Sequence, residues 1–129
     1  MSRMLVVDDD PTIVAIYKNI FEKHGFDVEV ARDGQTALDA YHRERPDIVL
    51  LDINIPQLSG IAWLQAVRHE PGAKVPVVVL TAGTTKAQVL SAWNVGASCV
   101  LLKSRDEPQR VLDVVQALTA GEGPKTWGH

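Results

Sequence analysis

The sequence of 129 residues carries a formal net charge of −3 at pH 7, which suits a single domain and leaves no basic surface for nucleic acid. Hydrophobic residues make up 46% of it, enough for a core without disulfides, and its single cysteine, Cys99, excludes a disulfide framework and a cysteine-rich zinc site. Because no apolar run is long enough to cross a bilayer and no signal-peptide pattern precedes Asp8, we expect a cytoplasmic, globular chain without a membrane segment.

Five short apolar runs recur along the chain and are predicted to be β-strands. They cover residues 4–7, 28–30, 48–51, 77–80 and 99–102. Four of the five are continuously apolar rather than alternating, which is typical of strands that are buried on both faces of a sheet.

The segments between these runs show the spacing of amphipathic helices. The stripe of the first predicted helix consists of Ile13, Ile16, Tyr17, Ile20 and Phe21, with Gly25 as its stop. Further helices are predicted at 36–45, around Ile61, Leu64 and Val67, at 86–95 and at 108–120. Pro108 suits the first turn of the last helix, and Asp106 is its predicted N-cap.

The fivefold alternation of strand and helix predicts an α/β fold with a doubly wound parallel sheet and helices on both faces. Right-handed crossovers leave few topologies, and we predict the strand order 2-1-3-4-5, with the topological switch point between strands 1 and 3. The domain is expected to cover residues 3–120, and 121–129 to form a flexible tail or the start of a linker.

Polar residues follow four of the predicted strands. Asp8, Asp9 and Asp10 follow the first, Asp52 the third, Thr81 the fourth and Lys103 the fifth. Ligands of open α/β sheets bind at these carboxyl ends. Crowded carboxylates repel one another and need a proton or a cation, and a site made of oxygen ligands suits Mg²⁺ better than Zn²⁺. Together with a hydroxyl and an ammonium group, such a site can hold a phosphoryl group on a carboxylate.

Each of these residues also has an ordinary structural interpretation. The triple aspartate suits a helix N-cap followed by Pro11, Asp52 suits a turn, and Thr81 or Lys103 alone indicates little. Their joint occurrence at four strand ends, in the order that one mechanism needs, favours a functional site.

Six segments resemble the receiver domain of two-component response regulators. They are 4–11 (MLVVDDDP), 46–56 (PDIVLLDINIP), 58–60 (LSG), 78–82 (VVLTA), 96–97 (GA) and 101–103 (LLK). The resemblance implies a flavodoxin-like fold and Mg²⁺-dependent phosphorylation of an aspartate by a phosphohistidine donor. The expected partners are a histidine kinase or phosphotransfer protein and a downstream protein or an output domain, without direct contact to nucleic acid or membrane.

The resemblance also implies a role for each matching residue. Asp52 matches the phosphoacceptor, Asp8 and Asp9 match the acidic pair that serves the metal together with Asp52, and the backbone carbonyl of Asn54 matches a further metal ligand. The residues that bind phosphoryl oxygens are matched by Thr81 and Lys103. Phosphorylation is expected to switch partner binding through the region from the fourth helix to the fifth, so that the role is signalling rather than enzymatic turnover.

Three positions depart from the family pattern. Lys103 is followed by Ser104 instead of proline, so the peptide bond can be trans and the reach of Lys103 is open. Val100 occupies the place of an aromatic residue whose rotamer usually couples to the threonine. Gly83 has no side chain to shield a phosphoryl group, and we expect a short-lived phosphoaspartate.

Two other functions fit parts of the sequence. An aspartyl-phosphate phosphatase needs a second acid two residues after its nucleophile, where this chain has Asn54. A binding module that works without phosphorylation would explain the changes at Val100 and Ser104.

The roles of two tryptophans remain open at this point. Trp63 is offset from the predicted stripe of its helix, and Trp93 lies in the fourth predicted helix. Each is either packed at the edge of the core or an exposed anchor for a partner.

Overall fold

The structure is a computed structural model that describes residues 2–71, 74–82 and 85–120. Five strands and five helices alternate along the chain. The strands are β1 (Arg3–Val7), β2 (Asp27–Ala31), β3 (Ile48–Leu51), β4 (Val77–Thr81) and β5 (Cys99–Leu102). The helices are α1 (Pro11–Lys23), α2 (Gly34–Arg43), α3 (Gly60–Arg68), α4 (Lys86–Asn94) and α5 (Pro108–Thr119).

The strands form one parallel sheet in the order β2-β1-β3-β4-β5, which confirms the predicted fold. The register brings their carboxyl ends to one edge: Val7 pairs with Leu51, and Thr81 pairs with Leu102. The residues that directly follow β1, β3 and β5 therefore emerge beside one another, and this edge carries the polar residues identified in the sequence.

The core lies in two layers, one on each face of the sheet. On one face, helices α2, α3 and α4 pack against side chains such as Val49 and Val79. On the other, helices α1 and α5 pack against Met4, Val78 and Leu101. Because both faces are covered, β3 consists entirely of apolar residues, and β1 and β4 are apolar except for Arg3 and Thr81 at their ends.

Side-chain caps set the starts of the first two helices. Asp10 accepts a hydrogen bond from the Thr12 N–H at 2.9 Å, and Pro11 occupies the first turn of α1. Asp33 accepts from the Thr36 N–H at 2.7 Å, so α2 begins at Gly34 rather than at the predicted Thr36. Gly25 follows α1 at φ +87°, a conformation that favours glycine, which confirms the predicted stop.

Three sequence predictions about side chains were wrong or left open. Ile16 was predicted to face the core but is 40% exposed, and Val14 is buried instead. Asp106 was predicted to cap α5, but the N-cap is Glu107, and the Asp106 side chain accepts from the Leu102 N–H at 2.8 Å. Trp63 is fully buried, so it is a core residue rather than a partner anchor.

Some predictions fall on residues outside the described ranges. Gly83 is one of them, and so is the predicted tail at 121–129. Among the residues that the structure describes, no helix combines the length and the apolar composition that crossing a bilayer requires.

Candidate functional site

Backbone hydrogen bonds of the sheet fix the positions of the site residues. The N–H of Asp52 donates to the Val7 carbonyl at 2.9 Å, so this aspartate continues the β3–β1 ladder. The N–H of Lys103 donates to the Thr81 carbonyl at 2.8 Å and continues the β5–β4 ladder. The predicted site residues are therefore carried on rigid strand ends, where their side chains converge.

The Asp52 carboxylate lies at the centre of this convergence. Its Oδ1 accepts from the Thr81 hydroxyl at 3.0 Å and from the Asn54 N–H at 3.0 Å, while its Oδ2 accepts from Lys103 Nζ at 3.2 Å. Asp52 is only 6% exposed and Thr81 is fully buried. Both carboxylate oxygens thus have donors of the kind that bind phosphoryl oxygens.

Asp8 lies on the other side of the lysine. Lys103 Nζ is 2.8 Å from Asp8 Oδ2, and Asp8 Oδ1 accepts from the Asp10 N–H at 2.9 Å. Burial raises the pKa of Asp8 above its usual range, an effect that the Lys103 ammonium and the Asp10 N–H oppose. Burial also acts to lower the pKa of Lys103, but the two carboxylates outweigh it and raise that pKa, so the lysine is charged.

Three aspartates offer oxygens for a cation at this edge. Asp8, Asp9 and Asp52 each place a carboxylate oxygen within 4.8 Å of the other two, and Asp9 is exposed to solvent. Burial disfavours uncompensated charge on Asp8, and one ammonium cannot neutralise three carboxylates. Hard oxygen ligands with one side open to water suit Mg²⁺, so the residues present fit that ion.

The structure describes two of the three positions that depart from the family pattern, the Lys103–Ser104 bond and Val100. No peptide bond in the described part of the chain is cis, so Lys103–Ser104 is trans, and Lys103 Nζ still reaches both acids. Val100 is buried in the layer beneath α2, α3 and α4, with Trp93 half-buried against the same layer. Trp93 is thus partly packed rather than freely exposed.

Two features of the site escaped the sequence analysis. The side-chain amide of Asn54, which was considered only for its carbonyl, donates to Thr81 Oγ1 at 3.3 Å. Gly60 lies so close to the segment after β3 that an added Cβ would be 2.5 Å from the Asp52 carbonyl oxygen. A polar residue two positions after the aspartate and a glycine opening the next helix were the only signals in the sequence.

A buried aspartate, a hydroxyl and an ammonium thus meet at the carboxyl edge of a parallel α/β sheet, beside an acidic cluster, an arrangement that suits a domain that accepts a phosphoryl group. A sequence profile described as the response regulator receiver domain matches residues 4–116. The chain belongs to this family, the receiver domains of two-component systems.

Individual relatives agree with this assignment. The DNA-binding response regulator MtrA of Mycolicibacterium smegmatis is 40% identical over 101 residues, which cover 78% of this chain and 43% of that protein. The transcriptional regulatory protein YxdJ of Bacillus subtilis is 34% identical over 97 residues, covering 74% of this chain and 42% of that one. The chain thus spans less than half the length of these relatives.

Solved structures show the same fold. The chemotaxis protein CheY4 of Vibrio cholerae has a TM-score of 0.81 and 31% identity, with 90% of this chain and 97% of that chain covered. The receiver domain of a signal transduction histidine kinase from Syntrophus aciditrophicus has a TM-score of 0.86 and 26% identity, with coverage of 94% and 92%. Receivers with such different contexts share this architecture.

Proposed function

We propose that Asp52 is the residue that accepts the phosphoryl group and that Thr81 and Lys103 bind the oxygens of that group. The observation that supports this most strongly is the set of donors on one buried carboxylate: a hydroxyl at 3.0 Å and an ammonium at 3.2 Å. A structural aspartate in a turn needs neither a buried hydroxyl from one strand nor a lysine from the next.

In the proposed reaction a carboxylate oxygen of Asp52 attacks the phosphorus of a phosphohistidine. The new bond joins that oxygen to phosphorus, the bond between phosphorus and the imidazole nitrogen breaks, and the histidine leaves with its electron pair. The Thr81 hydroxyl and the Lys103 ammonium then donate to phosphoryl oxygens instead of to the free carboxylate. Because Thr81 ends β4 and Lys103 follows β5, this change of hydrogen-bond partners couples phosphorylation to the ends of these two strands.

Asp8, Asp9 and Asp52 are the residues proposed to hold Mg²⁺, with the Asn54 carbonyl as a further ligand. When bound, the ion supplies positive charge next to the phosphoryl oxygens. Asp8 has a second function in this arrangement, because its carboxylate holds the Lys103 ammonium at 2.8 Å and so orients it towards Asp52.

The proposed role is that of a switch, with a histidine kinase or phosphotransfer protein as the donor and a downstream protein or output domain as the receiver of the signal. The proposed domain covers residues 3–120 and works in the cytoplasm. Its net charge of −3 supports a domain that does not itself contact DNA, although the relative MtrA is named a DNA-binding protein.

We also propose that the chain does not turn over phosphate esters. The position two residues after Asp52, where a hydrolase would need a general acid, is occupied by Asn54, whose amide donates to Thr81 Oγ1. An amide cannot protonate a leaving alkoxide at neutral pH, which supports signalling rather than catalysis.

Incubation with a low-molecular-weight phosphodonor and Mg²⁺ tests the phosphoacceptor. Intact-mass analysis should detect one added phosphoryl group on the wild-type chain and none on Asp52→Ala. Asp39→Ala, which removes an exposed acid of α2, is the matched control and should be phosphorylated normally. Incorporation that persists in Asp52→Ala would overturn the assignment.

A further inference from the structure

The segment between β5 and α5 folds back onto the last residue of β5. The Asp106 N–H donates to the Leu102 carbonyl at 2.7 Å, and the Leu102 N–H donates to Asp106 Oδ2 at 2.8 Å. A single residue therefore satisfies both the donor and the acceptor of Leu102. This reciprocal pair closes the loop that begins at Lys103.

The position of β5 at the edge of the sheet explains why this carboxylate is needed. Among residues 2–71, 74–82 and 85–120, β5 pairs with β4 alone, and successive N–H groups of a strand point to opposite sides. The Lys103 N–H points to β4 and donates to the Thr81 carbonyl, so the Leu102 N–H points outward, where the described part of the chain has no further strand. Asp106 supplies the acceptor that a further strand would otherwise provide.

The Asp106 carboxylate is itself held in place. Its side chain is only 8% exposed, and Arg105 Nη2 and Nε donate to Oδ2 at 2.8 and 3.1 Å. Arg110 approaches Oδ1 at 3.9 Å from the first turn of α5. The N-cap of α5 is the next residue, Glu107, which makes no side-chain hydrogen bond to the helix start. The buried acid of this loop thus accepts a hydrogen bond from the strand end and does not cap the helix.

The residue held on both sides by these contacts is Lys103. Its own N–H is fixed to β4, the preceding residue is fixed to Asp106, and its side chain extends to Asp8 and Asp52. The residue that follows is Ser104, joined by a trans peptide bond, so no proline ring restricts the chain after the lysine. Hydrogen bonds therefore fix the chain here, and those between Asp106 and Leu102 are among them.

We propose that Asp106 is a positioning residue that holds Lys103 at the distance from which its ammonium reaches the phosphoryl group on Asp52. The inference rests on the proposed function and adds to it a residue that touches neither the donor nor Asp52. Its effect passes through the backbone of Leu102 to the neighbouring lysine.

A double-mutant cycle with Lys103 tests the proposal. We expect Asp106→Ala to slow phosphorylation by a low-molecular-weight donor with Mg²⁺ about tenfold, the loss that follows when one charge-assisted hydrogen bond no longer orients the reacting groups. In a Lys103→Met background the same substitution should slow the reaction less than about twofold, because the lysine through which it acts is gone. Equal slowing in both backgrounds, or none in either, would overturn the proposal.

Two further variants separate positioning from general destabilisation. Asp106→Asn keeps an oxygen that can accept from Leu102 and should recover most of the rate and the slow hydrogen exchange of the Leu102 amide; an Asn variant as slow as Ala would contradict the proposal. Asp113→Ala removes an exposed acid of α5 and should change neither. Failure of the wild type to incorporate phosphate would defeat the proposed function as well, whereas normal wild-type incorporation with an unaffected Asp106→Ala defeats this inference alone.

Discussion

Helices α4 and α5 precede and follow β5 in the chain, and they are held to the sheet in different ways. Of the nine residues of α4 only Ala92 is buried, and Leu90 is 55% exposed. In α5, twelve residues long, five side chains are buried: Val111, Leu112, Val114, Val115 and Ala117. Apolar burial therefore fixes α5 to the sheet, whereas α4 buries fewer side chains against its face of the sheet.

The helix ends show the reverse difference: side chains donate or accept hydrogen bonds at both ends of α4, whereas the N-cap of α5 makes no side-chain hydrogen bond. Thr85 and Gln88 form a reciprocal capping box at the start of α4, with hydrogen bonds of 3.2 and 3.1 Å. At its other end the Arg68 guanidinium donates to the Gly96 carbonyl at 2.9 and 3.1 Å. Since α4 has no basic residue in its last turn, Arg68 supplies from α3 the cation that a helix C-terminus favours.

The contrast identifies which element can move. A hydrogen bond contributes about 0.5–1.5 kcal/mol net, whereas burying one large apolar side chain contributes about 1.5–3 kcal/mol. Shifting α4 breaks a few end contacts, while shifting α5 would expose five side chains. We therefore expect a change of partner at Thr81 to be passed to α4 rather than to α5.

The largest expected effect is on the packing of α5. Leu112→Ala leaves a cavity in the layer under α1 and α5 and should lower the free energy of unfolding by about 2–4 kcal/mol. Leu90→Ala, the matched change on the exposed face of α4, should cost less than about 0.5 kcal/mol. Denaturant unfolding measures both free energies of unfolding. Similar losses of stability in the two variants would contradict the expected difference between α5 and α4.

The thiol of Cys99, buried in the same layer as α5, reports whether that layer opens. Burial raises its pKa from 9.0 to about 11, so at pH 8 its thiolate is about a hundredfold scarcer than that of a free thiol. Folding favours the neutral thiol, so the stability that this preference contributes is present below pH 9 and is lost as the pH rises towards 11.

Alkylation of Cys99 should therefore be at least about a hundredfold slower in the native chain than in denaturant at pH 8. Native labelling within tenfold of the unfolded rate would show that the α5 layer opens readily. The Leu112→Ala variant should label faster than wild type, and Leu90→Ala should not.

Loss of the Arg68 contact should free the C-terminal end of α4. Arg68→Met removes the guanidinium that binds the Gly96 carbonyl, and we expect the local opening of α4 to become easier by about 1–2 kcal/mol. Hydrogen exchange should accelerate at the amides of Val95, Gly96 and Ala97 and stay unchanged in α5. Arg32→Met removes an exposed arginine elsewhere and is the control; acceleration in both variants would point to net charge as the cause.

The smallest effect is expected at the start of α4. Thr85→Ala removes the cap that accepts from the Gln88 N–H and should ease local opening by about 1 kcal/mol. Ser91→Ala, on the exposed side of the same helix, should leave exchange unchanged or slower, because alanine is the better helix former. A Thr85→Ala variant with the exchange pattern of wild type would show that the capping box contributes nothing.

The fold and the convergence of the site were predictable because both follow from continuous apolar runs and their polar ends. In a parallel sheet, residues such as Asp52 and Lys103 must leave the sheet at the same edge, whatever the details of the helices. Strand bounds were accurate to one residue, since burial on both faces leaves little choice.

The sequence analysis misassigned the buried faces of two helices and the role of Asp106, because the sequence offers nearly equivalent patterns at these places. In α1 two adjacent stripes compete, and the tertiary contacts select the one with Val14 over the one with Ile16. In α3 the buried face is Gly60, Trp63, Leu64 and Val67, whose i, i+3, i+4, i+7 spacing was present in the sequence but was assigned to Ile61. In the sequence Asp106 looks like the N-cap of α5. The structure shows that its carboxylate instead accepts from the Leu102 N–H, which faces the unpaired edge of β5.

The most direct test of the account is residue-resolved hydrogen exchange of the wild-type chain, with and without a phosphodonor and Mg²⁺, alongside Asp52→Ala. The account predicts that phosphorylation changes exchange at the end of β4 and in α4, leaves the buried face of α5 unchanged, and has no effect in the variant. Equal changes in α4 and α5, or the same changes in Asp52→Ala, would contradict it.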